Sequence, residues 1–352
     1  MTGRITRYVE NACPVGIRSI GRYVPDRVVT NAELADRLPT TDEWIKRNIG
    51  IETRCFSAPG EWSSDLGARA LLDACAQAGR PVSEVSLVIC GTYTPDHMLP
   101  HTASAIMRKA GIGGVPGFDV NSGGCPGAVF ALDVGAKYAA SGEYPCVAVV
   151  LADVSSKAFD PEDRTVGVIF GDAAACYLLE ETSRGPGIGR SLLRTDPSHY
   201  HSAFIAREQR VDVNGSPKFS DFGSEFMTMQ GRDIKEFVLG VIPDFIKEFL
   251  SSMALEPDDI DFFALHQANR NLVHGVLAAL GQPLAKTMTN LERLGNTSGA
   301  SLPLLLREAA ESGRLRRGDL ALLVAFGAGL NYGATLVRWC GPEDFAQQGS
   351  VT

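Results

Sequence analysis

Short apolar runs of strand length alternate along the chain with amphipathic stretches whose apolar positions recur at helical spacing. Residues 85–92, Val-Ser-Leu-Val-Ile-Cys-Gly-Thr, read as a buried strand with a helix before it over 65–79. A helix over 102–110, a short strand over 117–120, a helix over 125–140 and strands over 147–153 and 171–180 follow. The strand runs are mostly continuous in apolar residues. Strands covered on both faces read this way, so the pattern predicts an α/β fold.

The second half repeats the order. A long helix over 233–252 precedes a strand over 260–266, then a helix over 269–280 and a short extended segment ending near 294. A helix over 298–312 and strands over 320–326 and 333–339 close the chain. Two similar α/β units, each of about 150 residues, are the simplest reading of this order. The division places an N-terminal half at 1–181, a linker or cap at 182–224 and a C-terminal half at 225–352. The linker is rich in Gly, Pro, Ser and polar residues, as loops lying over binding sites are.

Composition narrows the function classes. The 352 residues are 45% hydrophobic and 21% charged, ordinary for a soluble globular protein. The net charge of −8, with no long Lys/Arg run, argues against a general nucleic-acid or anionic-membrane binder. No apolar run is long enough to span a bilayer, and the leading residues lack the apolar core of a secretory signal. A cytoplasmic location is the expectation. The eight cysteines are too sparse for a disulfide framework and include no Cys-x-x-Cys pair, so no structural metal is expected. Cys90 and Cys176, set in apolar runs, read as small buried hydrophobes.

Four segments carry candidate chemistry. In Asn121-Ser-Gly-Gly-Cys125-Pro-Gly, a strand ends, a glycine turn follows, and Cys125 stands where a helix begins. Pro126 suits a first helical position, and the positive helix end favours thiolate. Cys125 is therefore either a nucleophile or a small residue filling a helix start. His266, in Phe262-Phe-Ala-Leu-His266-Gln-Ala-Asn269, ends a buried strand, where α/β sheets bind ligands. A hydrogen-bonded core histidine fits that position equally. Asn296, in Gly295-Asn-Thr-Ser298, donates an amide N–H without titrating, or simply serves a turn. The turn Phe326-Gly-Ala328-Gly can aim a backbone N–H at a developing oxyanion.

The order Cys, His, Asn at 125, 266 and 296 in a duplicated α/β chain is far more specific than any member alone. Together with Thr41-Asp-Glu-Trp44-Ile, Asp160-Pro-Glu-Asp-Arg164, Ile169-Phe-Gly-Asp172, His266-Gln-Ala-Asn269 and Gly295-Asn-Thr-Ser298, it resembles the thiolase-superfamily condensing enzymes. The nearest resemblance is to the β-ketoacyl-acyl-carrier-protein synthase III family, over about residues 16–339. It implies a thiolase fold, with duplicated halves in an αβαβα layered arrangement, and a homodimer without metal or permanent cofactor. Acyl-coenzyme A or acyl-carrier-protein thioesters would be its substrates.

Residue by residue, the resemblance assigns acyl transfer to Cys125. His266 and Asn296 match the pair that binds a malonyl-type thioester during decarboxylative Claisen condensation. The backbone N–H groups of Cys125 and Ala328 match the oxyanion hole, Ala328 standing where glycine is usual. Trp44 and Arg164 match the clamp on the adenine of coenzyme A, and Arg232, Asn269 and Arg270 fall in the donor-binding region. Asn48 and Asn271 replace expected arginines, and Arg232 replaces an asparagine. Arg232, Lys235 and Arg270 would offer a basic patch to an acidic carrier protein. Leu99 matches the loop residue that crosses the dimer interface and limits the acyl pocket; leucine there favours a bulkier or branched chain than a large aromatic does.

Residue types sort the relatives. Asn296 argues against synthases that use two histidines, and the Phe326-Gly-Ala-Gly turn lacks the second cysteine of biosynthetic thiolases and the Gly-Phe-Gly-Pro-Gly of chalcone-synthase-like enzymes. A non-decarboxylating acyltransferase and a silent partner subunit of a heteromeric synthase are the alternatives. The expected activity is a condensation in fatty-acid initiation or a polyketide-type pathway.

Overall fold

The computed structural model describes residues 14–122, 124–183, 187–206, 210–211, 217–218, 220–222 and 226–345. The leading residues read for a secretory signal, Gly123 of the cysteine turn and parts of the 182–224 stretch lie outside it.

Two sheets carry the molecule. The N-terminal sheet runs, from edge to edge, Val15–Tyr23, Ala173–Glu181, Cys146–Asp153, Leu87–Gly91 and Gly117–Val120. The C-terminal sheet runs Ile188–Thr195, Asn331–Arg338, Leu320–Gly327 and Phe262–Leu265. In each, the first two neighbouring pairs are antiparallel and the next is parallel. The order and direction of four strands therefore repeat between the halves, as the duplicated pattern predicts. The fifth strand, Gly117–Val120, has no counterpart among the described residues of the second sheet.

One boundary moves. The strand Ile188–Thr195 lies within the stretch assigned to the linker, yet it pairs with Asn331–Arg338 at the edge of the C-terminal sheet. Its sequence, Ile-Gly-Arg-Ser-Leu-Leu-Arg-Thr, alternates weakly because an edge strand leaves part of each face to solvent. The segment read as extended before 294 instead ends in a helical turn, Leu291–Leu294.

The helices Gly127–Ala140 and Ser301–Glu311 pack together between the sheets. Ala128, Val129, Ala131 and Leu132 share one core with Leu302, Leu305, Leu306 and Ala309 and with inward residues of both sheets. A small residue lets the first of these helices approach the N-terminal sheet closely: a Cβ on Gly135 would lie 2.3 Å from Val149 Cγ2. The helix Ser63–Ala78 covers the outer face of the N-terminal sheet. The helices Gly231–Ser251 and Arg270–Ala279 cover that of the other. All eight residues of Cys146–Asp153 are buried, which explains its unbroken apolar run. Cys90 and Cys176 are fully buried in this packing, as expected.

Candidate active site

The two inner helices begin at the same level, and the turns that precede them face each other. Cys125 sits on the first turn and Asn296 on the second, with the Asn296 amide Nδ2 3.9 Å from the Cys125 Sγ. Asn296 Oδ1 accepts the Ser298 backbone N–H at 2.8 Å. That bond assigns the amide oxygen, which itself lies 4.0 Å from the Sγ as an acceptor for the thiol, so the amide sits side-on to the sulfur. The Asn296 backbone is tied to Ile169-Phe-Gly by two bonds, Asn296 N–H to the Ile169 carbonyl at 2.9 Å and Gly171 N–H to the Asn296 carbonyl at 3.0 Å. Gly295 permits this: its φ is 67°, and a Cβ there would lie 2.9 Å from the Ile169 oxygen. Two sequence motifs of unrelated position thus form one bridge.

The helix start is displaced from expectation. Gly127 is the first helical residue and Pro126 occupies the cap, so Cys125 stands outside the first turn. Its ionisation also differs. Burial pushes the thiol up to about 12, against smaller favourable hydrogen bonds from Ser298 and Asn296. The resting group is a thiol, because desolvation of a full charge outweighs the fraction of a charge at a helix end.

His266 follows the strand Phe262–Leu265 and is buried. Burial alone pushes its imidazole down to about 3, so it is neutral at working pH. Nδ1 faces the Ser301 hydroxyl at 2.7 Å, while Nε2 is buried with no hydrogen-bond partner among the described residues. The Phe326 ring packs against the imidazole edge-to-face, 5.4 Å between centroids. With the charged form excluded, Nε2 carries a proton only in the tautomer whose Nδ1 accepts from Ser301.

The Gly327-Ala328 turn presses against the cysteine turn. A Cβ on Gly327 would lie 2.6 Å from Pro126 Cδ and 3.1 Å from Cys125 Cβ. Asn331 Nδ2 joins the two turns by donating to the Ser122 carbonyl at 3.1 Å and the Ala328 carbonyl at 2.8 Å. Cys125, His266, Asn296 and Ala328 line one cavity of about 1240 Å³. Tyr93, Phe170, Phe204, Ile205, Met227 and Met229 supply an apolar wall, and His97, Met98 and Asp221 also line it.

A second cleft of about 600 Å³ is lined by Pro39, Thr40, Thr41, Glu43, Trp44, Arg47 and Arg164. The Arg164 guanidinium lies 5.0 Å from the centre of the Trp44 ring. Arg232 is exposed in the first turn of Gly231–Ser251. Asn269 and Arg270 are held elsewhere. Asn269 caps the helix Arg270–Ala279 and donates to the Asn48 carbonyl at 3.0 Å, and Arg270 donates to the Lys46 carbonyl at 3.1 Å. Leu99 is 87% exposed, in the loop before helix Thr102–Ala110, and does not line the cavity of its own chain. Among the described residues no group of three or more His, Cys, Asp or Glu is arranged to hold a metal ion. No helix described is long and apolar enough to cross a membrane.

Sequence reading missed Ser301, Asn331 and Phe326 as site residues. Ser301 was visible only as part of a turn that opens a helix, and Asn331 as an ordinary residue after a glycine turn.

Comparison with known proteins matches this chain to two family models. 3-Oxoacyl-[acyl-carrier-protein] synthase III covers residues 118–197, and its C-terminal counterpart covers 250–339. The chain is 38% identical to β-ketoacyl-[acyl-carrier-protein] synthase III of Symbiobacterium thermophilum, over 93% of this chain and 98% of that one. It is 39% identical to the protein of the same name from Paramagnetospirillum magneticum, over 90% and 97%. The crystal structure of the Thermus thermophilus synthase III superposes with a TM-score of 0.84 at 34% identity, covering 93% of this chain and 99% of that one. A priming β-ketosynthase from the R1128 polyketide pathway gives 0.84 at 27%, covering 93% and 97%. The repeated sheets, the shared inner helices and this likeness over nearly the whole length make the chain a thiolase-fold member of the β-ketoacyl-acyl-carrier-protein synthase III family.

Proposed function

We propose that the protein transfers an acyl group from a thioester to Cys125 and condenses it with a malonyl-type thioester after loss of CO2. The observation that carries this reading is the meeting of one buried thiol, one amide N–H₂ 3.9 Å away and one neutral imidazole with a free Nε2 around a single cavity.

Acylation leaves a tetrahedral oxyanion, and the backbone N–H groups of Cys125 and Ala328 are the donors assigned to it. Decarboxylation then builds an enolate on the incoming thioester. Its oxygen needs donors that keep their protons at neutral pH. Asn296 Nδ2–H and His266 Nε2–H meet that need without titrating. A cationic histidine is not required, and burial would oppose it. The enolate carbon attacks the acyl carbon on Cys125, the C–S bond breaks, and the β-ketoacyl product leaves.

Ser301→Ala is expected to lower condensation about 10- to 100-fold, equivalent to about 1–3 kcal/mol for one buried polar group left unpaired. Acylation of Cys125 should stay near the wild-type rate. CO2 release from a malonyl thioester by pre-acylated enzyme measures the loss, and an equal fall in both steps would contradict the tautomer role.

Trp44, Arg164 and Arg232 are the residues we assign to the acyl donor, with Asn269 and Arg270 fixing the backbone beside them. A coenzyme A donor is supported by the Trp44–Arg164 pair over the smaller cleft. Trp44→Ala should raise KM for acyl-coenzyme A about 5- to 30-fold, reflecting about 1–2 kcal/mol of stacking and cation–π contact. KM for an acyl-carrier-protein thioester should change little. Equal effects on both donors would remove the assignment. The acyl carrier protein is the macromolecular partner, and a homodimer whose Leu99 enters the partner's acyl pocket fits the exposure of that side chain. We assign the enzyme to the acyltransferases, acting in the cytoplasm in fatty-acid initiation or a polyketide-type pathway.

Intact-protein mass spectrometry with a panel of acyl thioesters, followed by CO2 measurement on adding malonyl thioester, tests the function. Acylated enzyme that releases no CO2 but acylates an alcohol or amine would replace condensation by plain acyl transfer.

A further inference from the structure

Two backbone N–H groups from separate turns can hold one oxyanion only if the turns keep a fixed separation. We propose that Asn331 is a positioning residue that sets this separation, its side-chain amide clamping the turn of Cys125 to the turn of Ala328. This rests on the reading of Cys125 as the acylated residue and of the two N–H groups as its oxyanion donors.

The two segments touch at both ends. At one end, a Cβ on Gly327 would lie 2.6 Å from Pro126 Cδ, so glycine lets the turns meet. At the other, Asn331 Nδ2 donates to the Ser122 carbonyl at 3.1 Å. Cys125 lies between the contact points on one segment, and Ala328 lies between them on the other. A single contact would leave the turns free to hinge. The amide bond to Ser122 removes that freedom.

Partners settle the orientation of this amide. Nδ2 faces two carbonyl oxygens, of Ser122 and of Ala328 at 2.8 Å, and these can only accept. Oδ1 accepts from Thr195 Oγ1 at 2.5 Å. Thr195 reaches it because the register pairs Thr195 with Asn331 across the strands Ile188–Thr195 and Asn331–Arg338. The Ala328 carbonyl is gripped twice, since the Asn331 backbone N–H also donates to it. Asp196 and Leu330 anchor the same turn through two backbone bonds, at 2.8 and 2.9 Å. Gly329 leaves room for the amide: its φ is 131°, and a Cβ there would lie 2.5 Å from Asn331 Nδ2. Asn331 lines the cavity, yet both of its side-chain N–H groups are spent on the backbone. That separates positioning from substrate binding.

Two reactions of the sulfur distinguish this role from a merely structural one. In acylation the S–C bond forms, the carbonyl π pair moves onto oxygen, and its return expels the donor's thiolate or alkoxide, which takes up the thiol proton. Charge builds on oxygen, so the rate depends on where the two N–H groups lie. In alkylation by iodoacetamide the S–C bond forms as the C–I bond breaks, iodide leaves and the proton goes to water. No oxygen gains charge, so the spacing of the N–H groups does not enter.

The test measures both reactions at Cys125 in Asn331→Leu, Thr195→Val and Thr195→Ser, by peptide mass spectrometry. Acylation is driven by p-nitrophenyl acetate and, separately, by acyl-coenzyme A and acyl-carrier thioesters. Asn331→Leu keeps the size of the side chain without its donors. It should lower the maximal acylation rate about 10- to 100-fold, the scale of a displaced oxyanion donor. The half-saturating thioester concentration and the iodoacetamide rate should stay within about threefold of wild type. Thr195→Val frees the amide to turn and should lower acylation about 3- to 10-fold, while Thr195→Ser restores it. If Asn331→Leu fails to fold, Thr195→Val still reads the same split. Acylation by p-nitrophenyl acetate that is unchanged in these two variants, or that falls together with alkylation, would overturn the clamp. A wild type that neither reagent class acylates at Cys125 would overturn the clamp and the substrate reading alike. Thioesters that leave Cys125 unmodified while p-nitrophenyl acetate shows the split would overturn the substrate reading and leave the clamp standing.

Discussion

Cys125→Ala is expected to yield a folded protein that gains no acyl mass from any thioester and has lost condensation by about 10⁴- to 10⁶-fold, the scale of removing a covalent nucleophile. The side chain is small and lies at a cavity wall, so its loss should leave the surrounding layers intact. Intact mass and product formation check it. Acyl mass found on Cys55, Cys75 or Cys340 in the variant would move the nucleophile elsewhere. Burial raises each of those three thiols, and none of them lines the cavity.

Asn296→Ala should separate the two half-reactions. Acylation should proceed, since the oxyanion donors assigned to it are backbone N–H groups. Decarboxylation should fall about 100- to 1000-fold, the cost of one lost donor to a developing enolate oxygen, or about 2.7–4 kcal/mol. Some of the loss will come from Ser298, whose backbone N–H is held by Asn296 Oδ1 at 2.8 Å. Asn296→Asp therefore serves as a companion. It retains the acceptor but replaces the N–H₂, and should be as poor in CO2 release. Loss of acylation in both variants would contradict the role assigned to the amide.

The chemistry makes different demands on its two steps, and the site answers them with different kinds of group. Acylation needs a proton removed from a thiol that burial holds in its neutral form, and backbone N–H donors for the oxyanion that follows. Condensation needs neutral donors. A histidine that burial keeps uncharged and a serine that fixes its tautomer suit that one. Both sets converge because the duplicated halves put equivalent turns, each ahead of an inner helix, face to face.

Periodicity alone located most strands and helices to within about two residues, because fully covered strands and amphipathic helices leave strong apolar patterns. The edge strands Val15–Tyr23 and Ile188–Thr195 escaped because their partners lie far along the chain and their patterns are weak at a sheet edge. Cys125, His266 and Asn296 stood out because each follows a strand or glycine turn where α/β folds bind ligands. Their neighbours Ser301 and Asn331 did not, since nothing local marks them as different from other turn residues.

The amino-acid order by itself determined the fold class and the duplication, which follow from local patterning, and its resemblance to a known family singled out Cys125, His266 and Asn296 as candidates. Only the tertiary structure decided their protonation. Whether Cys125 rests as thiol, whether His266 is neutral and which nitrogen carries its proton depend on how much water the packed layers exclude and which hydroxyls they bring alongside. Desolvation is a property of the assembled interior, and no stretch of sequence contains it.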